Sequence, residues 1–419
     1  MNKRDFLKTF GTAAIGSPFL SLDLSSNHKF EDYSKRNNLS ESDFWKKIRE
    51  DYTLKKDYIN LENGYYCIVP NPTLNNFITH VKKINIEGSY YMRHHRDKDN
   101  KRIEARLASF LNCETEELVV TRNTTESLDL IIGGFPWKKG DEAIYAMQDY
   151  GAMQDMFKLV SKRHGVVNKV VSVPNHPKSD EEIVKLYEDQ ITSKTKLIMV
   201  CHMINITGHI LPIRKICDMA HKYGVEVMVD GAHCIGHFKV NISELNCDYY
   251  GSSLHKWLST PLGVGILYIS KNKISKINPL LASHVHEQDN ILRLNHIGTH
   301  PVYTDLAVDN ALDYQEMIGT DRKENRLRYI QRYWSDRLRK IKNVVINTPI
   351  EEHKSCGIAN VGIKNMDPGK LSKILLDKYQ IFTVAINHEN VVGCRISPNV
   401  YTNQEDLEHF ISSIKELAV

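Results

Sequence analysis

From about Leu118 the chain alternates short apolar runs with longer amphipathic stretches. The runs Leu118–Val120, Ala143–Ala146, Val166–Val173, Leu197–Val200 and Val225–Val229 are too short for helices and read as strands buried on both faces. Between them Glu126–Ile132, Tyr150–His164, Asp180–Gln190 and Ile213–Tyr223 carry a helical spacing of apolar positions. This alternation predicts βαβ units and a mostly parallel sheet. Two more strands, Tyr249–Ser252 and Gly263–Ile269, follow with no long helix between them. After about Leu306 the pattern changes. A long charged helix is predicted over Thr320–Ile341, then strands at Val344–Ile346, Ile358–Val361, Ile381–Ala385 and Val391–Ile396, with helices at Gly369–Tyr379 and Gln404–Leu417. That describes a compact α+β unit. Ahead of the sheet, residues 21–58 are polar and charged, a linker with a leading helix near Ser42–Tyr52.

Composition narrows the class. A chain of 419 residues exceeds the roughly 250–300 at which a single core stops growing, so two domains are expected. A 41% apolar and 25% charged make-up excludes a largely disordered chain and a multi-pass membrane protein. The net charge of +4 supplies no electrostatic reason to bind nucleic acid. None of the eight cysteines forms a C-x-x-C pair, which argues against a zinc ribbon; most have apolar neighbours and are expected as buried free thiols. The first twenty residues differ from the rest. A basic head with Lys3, Arg4 and Lys8 precedes a weakly apolar stretch, Phe10–Leu20, too short to span a bilayer. This is the layout of an export signal. It resembles the twin-arginine type with Lys3 in place of the first arginine, and implies an exported or periplasmic protein; the alternative is a frayed terminus with two chance basic residues on a cytoplasmic protein. No other segment approaches a membrane span.

Four local signals fall where strands are expected to end, the place at which open α/β sheets bind ligands. Thr121-Arg-Asn-Thr-Thr-Glu-Ser127 joins a strand to a helix, and can cap that helix or seat a phosphate on its amides. Asp230 ends a buried strand, where a carboxylate needs a partner. Spaced with His233 and His237, it also offers a metal-ligand set. Lys256 lies among Leu254, Trp257 and Leu258, an apolar setting that lowers a lysine pKa and makes the amine a nucleophile towards carbonyls, or merely holds a snorkelling side chain. Arg395 ends a strand of the second domain and suits bidentate capture of a carboxylate, unless it forms a surface ion pair. A nucleophilic lysine, an aspartate for a pyridinium nitrogen, a phosphate seat and a carboxylate-binding arginine are together the parts a pyridoxal 5'-phosphate (PLP) enzyme needs.

With these landmarks in place, the sequence resembles the class V aminotransferase family of fold-type I PLP enzymes, in its isopenicillin-N-epimerase-like branch. The resemblance runs from about Asn60 to the end. It rests on Asn60-Leu-Glu-Asn-Gly64, Asn123-Thr-Thr-Glu126, Asp149-Tyr-Gly-Ala152, Asn205-Ile-Thr-Gly208, Asp230-Gly-Ala-His233, Ser253-Leu-His-Lys256, Gly298-Thr299 and Arg395-Ile-Ser-Pro-Asn-Val-Tyr401. It implies a large PLP-binding domain over 71–305, built on a seven-stranded-type, mostly parallel sheet. A small domain would span 306–419, and residues 28–70 would pack with it after an export signal and linker over 1–27. It implies that Lys256 carries the Schiff base and shuttles the Cα proton, and that Asp230 pairs with the pyridinium nitrogen. Tyr150 would stack on the ring, where many relatives have histidine. Thr124 and Thr125 would seat the phosphate with help from Ser253 and His255. Thr299 would reach the phosphate of a neighbouring subunit, which makes the protein a homodimer. Asn205 and His233 would lie near the ring hydroxyl, and Arg395 would hold the substrate α-carboxylate. The segment Gly64–Tyr66, with Tyr65, and the cluster Tyr90–Arg96 would line the substrate entrance.

The expected activity is that of a PLP enzyme acting on an α-amino acid, a small-molecule substrate, as an aminotransferase or an epimerase. A C–S or C–C lyase of the same fold, cysteine-lyase-like or kynureninase-like, stays open. So do a metal-dependent hydrolase built on Asp230, His233 and His237, and a catalytically silent binding protein. A cysteine desulfurase is disfavoured: no cysteine occurs between Gly357 and Gly393, and Cys394 directly adjoins Arg395.

Overall fold

The protein is described by a computed structural model over residues 36, 38–281 and 286–419; the expected export signal over 1–27 lies outside them. Helix α1 (Glu41–Glu50) and the two-residue strand β1 (Ile59–Asn60) come first. Helices α2 (Asn71–Glu87), α3 (Ser89–His94) and α4 (Arg96–Leu111) follow. The central unit then runs β2 (Leu118–Thr121), α5 (Thr124–Gly134), β3 (Glu142–Ala146), α6 (Gly151–His164), β4 (Val167–Val171), α7 (Asp180–Glu188), β5 (Thr195–Cys201), α8 (Ile213–Lys222) and β6 (Glu226–Asp230). After the short α9 (Ile242–Leu245) come β7 (Tyr249–Ser253) and β8 (Gly265–Ile269).

These seven strands form one sheet in the order β2-β8-β7-β6-β5-β3-β4. Strand β8 runs antiparallel to both its neighbours, and every other pair is parallel. Side chains alternate across the sheet as a pleated strand requires. In β5, Leu197 and Met199 face a core shared with α5 and α6, whereas Ile198 and Val200 face the opposite core. Burial on both faces explains why these strands are nearly continuous apolar runs.

The remainder of the chain holds α10 (Val302–Ile318), α11 (Thr320–Leu338), β9 (Val344–Ile346), β10 (Ala359–Ile363), α12 (Pro368–Tyr379), β11 (Ile381–Phe382), β12 (Val384–His388), β13 (Val391–Ile396) and α13 (Gln404–Leu417). Strands β12-β13-β10-β9 make an antiparallel sheet with its own core, closed by Trp334, Leu375 and Phe410. Helix α10 packs on α2 and α4 and shares their core, so residues 302–318 group with the large sheet rather than with the small one. The expected strand Ile381–Ala385 is two strands. β11 pairs in parallel with β1, and β12 joins the small sheet after Thr383. The segment before residue 70 thus adds a strand to the small domain. Helix α1 adds to this with ion pairs from Arg49 to Asp406 and from Glu41 to Arg322. Seven of the eight cysteines are buried free thiols and Cys113 is half-buried. Among the described residues no helix is long and apolar enough to cross a membrane.

Candidate active site

The register of the parallel strands sets Cys201 beside Asp230 and Asp230 beside Gly251. These strand ends open into a cavity of about 310 Å³ that the small domain roofs with Arg395. Tyr65, Thr124, Thr125, Tyr150, Asn205, Asp230, His233, Ser253, His255, Lys256 and Arg395 all line it. Two larger cavities, of about 910 and 560 Å³, lie between the amino-terminal segment and the small domain, and neither contains Lys256, Asp230 or Arg395. Chemistry rather than size marks the smaller one.

Asp230 is buried at the end of β6 and accepts one hydrogen bond, from Ala232 N–H to Oδ1 at 2.9 Å. Among the described residues no second donor meets its carboxylate. Burial raises its pKa, while Ala232 N–H and Lys256 oppose the rise. Gly231 follows because a Cβ there would sit 2.1 Å from the Tyr250 ring.

Lys256 lies on the loop after β7, with Nζ 3.0 Å from His233 Nε2. Loss of hydration lowers its pKa to about 8; Asp230 opposes that shift and Arg395 adds to it. Trp257 Nε1–H donates to His233 Nδ1 at 3.3 Å. Burial holds His233 neutral, so its own proton sits on Nε2 and points at Lys256. That bond requires a lone pair on the lysine, and the contact therefore favours the neutral amine. His237 supports the arrangement from behind. Its ring stacks on Trp257 at 3.7 Å, its Nδ1 donates to His233 O at 2.8 Å, and its Nε2 accepts from Gly357 N–H at 2.7 Å.

At the start of α5, Asn123 caps the helix through Glu126 N–H, and Thr124 N–H and Oγ1 both meet Ser253 Oγ, at 2.9 and 2.7 Å. Thr125 N–H, in the same first turn, has no acceptor among the described residues. An oriented amide of this kind is what an anion uses at a helix start. Tyr150 is 47% exposed and lines the cavity, which leaves a ring face open instead of packed in the core.

Several expectations change. Arg395 is not free: Glu62 holds its guanidinium through Nε at 3.1 Å and Nη2 at 2.5 Å. The Tyr90–Arg96 cluster lies on α3 and the start of α4, outside the cavity lining, with Tyr90, Arg93, His94 and His95 exposed because only Tyr91 turns inward. Thr299 is exposed and outside the cavity of its own chain, which leaves the expectation that it reaches a neighbouring subunit as it was. The metal set fails on geometry: both ring nitrogens of His233 and of His237 are engaged by other groups, and the described residues hold no cluster of three ligand-type side chains. Sequence reasoning missed Glu62, the donor role of Trp257, and Asp149. Burial pushes this last carboxylate up to about 7 beside Asp230.

A fold with this sheet order, a lysine on the loop after its β7 and an aspartate ending its β6 defines a class of enzymes that work on amines through a carbonyl cofactor. The family model for aminotransferase class V matches residues 72–410, and the chain belongs to that family. It is 26% identical over 332 residues to isopenicillin N epimerase of Amycolatopsis lactamdurans, covering 75% of this chain and 83% of that one. It is also 26% identical over 325 residues to a probable cysteine desulfurase of Halalkalibacterium halodurans, covering 72% and 78%. In fold it resembles a C-DES mutant with glycine covalently linked to the PLP cofactor, at TM-score 0.80 and 18% identity over 88% of this chain and 99% of that one. The protein is a PLP-dependent enzyme, and the residues present fit the cofactor. Asp230 has an unengaged carboxylate oxygen, Thr125 an unengaged amide, Tyr150 an open ring face and Lys256 an amine biased to neutrality. Bound PLP supplies an aldehyde for condensation with amines and a ring that draws electrons from the bonds at the amino-bearing carbon.

Proposed function

We propose that this enzyme breaks and remakes the Cα–H bond of an α-amino-acid substrate with Lys256 as the proton carrier, as an aminotransferase or an epimerase does. One observation carries this reading. Lys256 has its pKa lowered to about 8 and its Nζ against the cavity, while the one cysteine that lines the cavity, Cys201, is held as a thiol by burial. A proton carrier is present and a sulfur nucleophile is not. Cys394 turns its Sγ to Pro368 O, and Cys356 is buried behind His237. In the same reading Lys256 binds the cofactor, Asp230 keeps its ring nitrogen protonated, Tyr150 covers a ring face, and Asn205 and His233 flank the ring hydroxyl. Thr124, Thr125, Ser253 and His255 hold the phosphate, with Thr299 of a second copy across a homodimer interface.

A second reading, a C–S or C–C lyase, needs no cavity thiol and is favoured by the likeness in fold to the cystine C–S lyase C-DES. The test is a panel of amino acids mixed with holoenzyme, followed by cofactor absorbance and product analysis. Pyridoxamine phosphate with a keto acid, or solvent exchange of the α-proton with loss of chirality, supports the first reading. Pyruvate released with ammonia and a thiol or persulfide supports the second. Residues 1–27 are proposed to direct export, which fractionation of cells expressing the chain with and without them would test.

A further inference from the structure

The guanidinium that roofs the cavity is already met by a carboxylate of its own chain. Glu62 takes Arg395 Nε–H at 3.1 Å and one Nη2–H at 2.5 Å, a side-on bidentate pair with side-chain exposures of 8% for the arginine and 4% for the glutamate. The same carboxylate accepts from Tyr65 N–H at 2.9 Å and from Ser397 Oγ at 3.2 Å. Four donors occupy the roughly four lone-pair sites that a carboxylate offers. Gly64 lies flat against the guanidinium, where a Cβ would come within 2.7 Å of Cζ. Nη1 reaches Asn205 O at 3.4 Å.

This is a built arrangement. A substrate carboxylate that displaced Glu62 would break its two hydrogen bonds to the guanidinium and strand a buried carboxylate, so displacement is disfavoured. A guanidinium has five N–H groups. Glu62 uses two and Asn205 one, which leaves an Nη2–H and an Nη1–H for whatever enters the cavity. The hydrogen bonds remain available there, but the charge behind them is cancelled. A carboxylate arriving on that edge brings a net negative charge into a buried site, whereas a carboxamide brings none.

We propose that Glu62 is a specificity-determining residue: by neutralising Arg395 it makes the seat for the substrate's α-carboxyl nearly indifferent to charge, so that the enzyme accepts amino acids whose carboxyl is masked as an amide alongside free α-amino acids. This rests on the functional reading above and goes beyond it by naming the carboxyl-masked substrate class.

The test titrates holoenzyme, wild type and Glu62→Gln, with L-alanine and with L-alaninamide, counting each compound as its free amine. Binding is read from the cofactor absorbance as the added amine displaces Lys256. Wild type is expected to bind the two within about threefold of each other, and Glu62→Gln to tighten L-alanine roughly tenfold while alaninamide moves less than about twofold. A wild-type preference for L-alanine above about thirtyfold overturns the proposal without any variant, so a Glu62→Gln protein that fails to fold does not shield it. Glu62→Gln weakening L-alanine, or changing neither ligand, overturns it as well, because Glu62 would then only hold Arg395 in place. A spectrum that neither compound alters, in enzyme whose PLP borohydride fixes onto Lys256, overturns the functional reading and this inference with it.

Discussion

Two lysines of this protein share a depressed pKa and have opposite roles. Burial lowers Lys323, on α11, to about 8, and loss of hydration lowers Lys256 to about 8 as well. Lys323 is buried, and its Nζ donates to Trp257 O at 2.6 Å and to Gln315 Oε1 at 2.8 Å. Both partners can only accept, so its protons are fixed in place. Lys256 meets a histidine whose proton is directed at it, and otherwise faces the cavity. The shift alone therefore does not identify a reactive amine; an open approach and a partner that tolerates the neutral form do. Lys323 secures the carbonyl of the residue next to Lys256, and so holds the loop on which the chemistry rests.

The contrast can be broken in four ways. Lys256→Ala is expected to abolish borohydride-fixed labelling by PLP and to lower turnover by at least about 10³-fold, whereas Lys323→Met retains the label. Labelling of both variants to the same extent would erase the distinction. The next effect is on pH. The neutral amine is the nucleophile, so PLP attachment to apoenzyme should fall about tenfold per unit below pH 8 and level off above it, as read by stopped-flow absorbance. Lys323→Met leaves two buried acceptors unmade, with an expected cost of about 1–3 kcal/mol measured by denaturant unfolding. The folded pKa of Lys323 lies below its usual 10.5, so the native state holds fewer protons than the unfolded state between about 8 and 10.5. Wild type then gains stability as pH rises through that window, and its advantage over Lys323→Met should be larger near pH 10 than near pH 7. The smallest effect concerns Trp257→Phe. Without the indole donor, His233 can turn Nε2 into an acceptor and stabilise the charged amine, moving the attachment midpoint up by roughly half a unit. An unmoved midpoint would show that the His233 tautomer has no hold on Lys256.

The parallel strands were legible because burial on both faces leaves an unbroken apolar run, and the residues at their ends followed from that placement. Thr124, Thr125, Asp230 and Lys256 all lie where a strand yields to a turn or helix. Helices α2 to α4 were not legible. α2 leaves Leu74, Ile78, Val81 and Ile86 exposed, which blurs the contrast between its faces. α10 is buried nearly all round, and its acidic positions Asp309, Asp313 and Glu316 meet Arg106 of α4, so its polar stripe does not mark a solvent face. Arg395 was found by its type and position, but its state was not, because that depends on a partner 333 positions away that no local pattern announces. The link from Gly357 through His237 and Trp257 to His233 is of the same kind, joining residues from separate domains.

The pairing of β1 with β11 has a consequence for how the chain is made. Glu62 lies two residues beyond β1, and both the strand's pairing partner and the arginine that the carboxylate holds come in the last fifth of the sequence. During synthesis the amino-terminal edge must wait, unpaired, while the entire large sheet is completed behind it. Such long loop closures are slow, and they expose an unsatisfied strand in the meantime. The roof over the cavity is thus expected to be the last part to close. Refolding followed by two probes should show sheet formation preceding the burial of Tyr52 against Tyr401, which packs over the same junction at 4.9 Å.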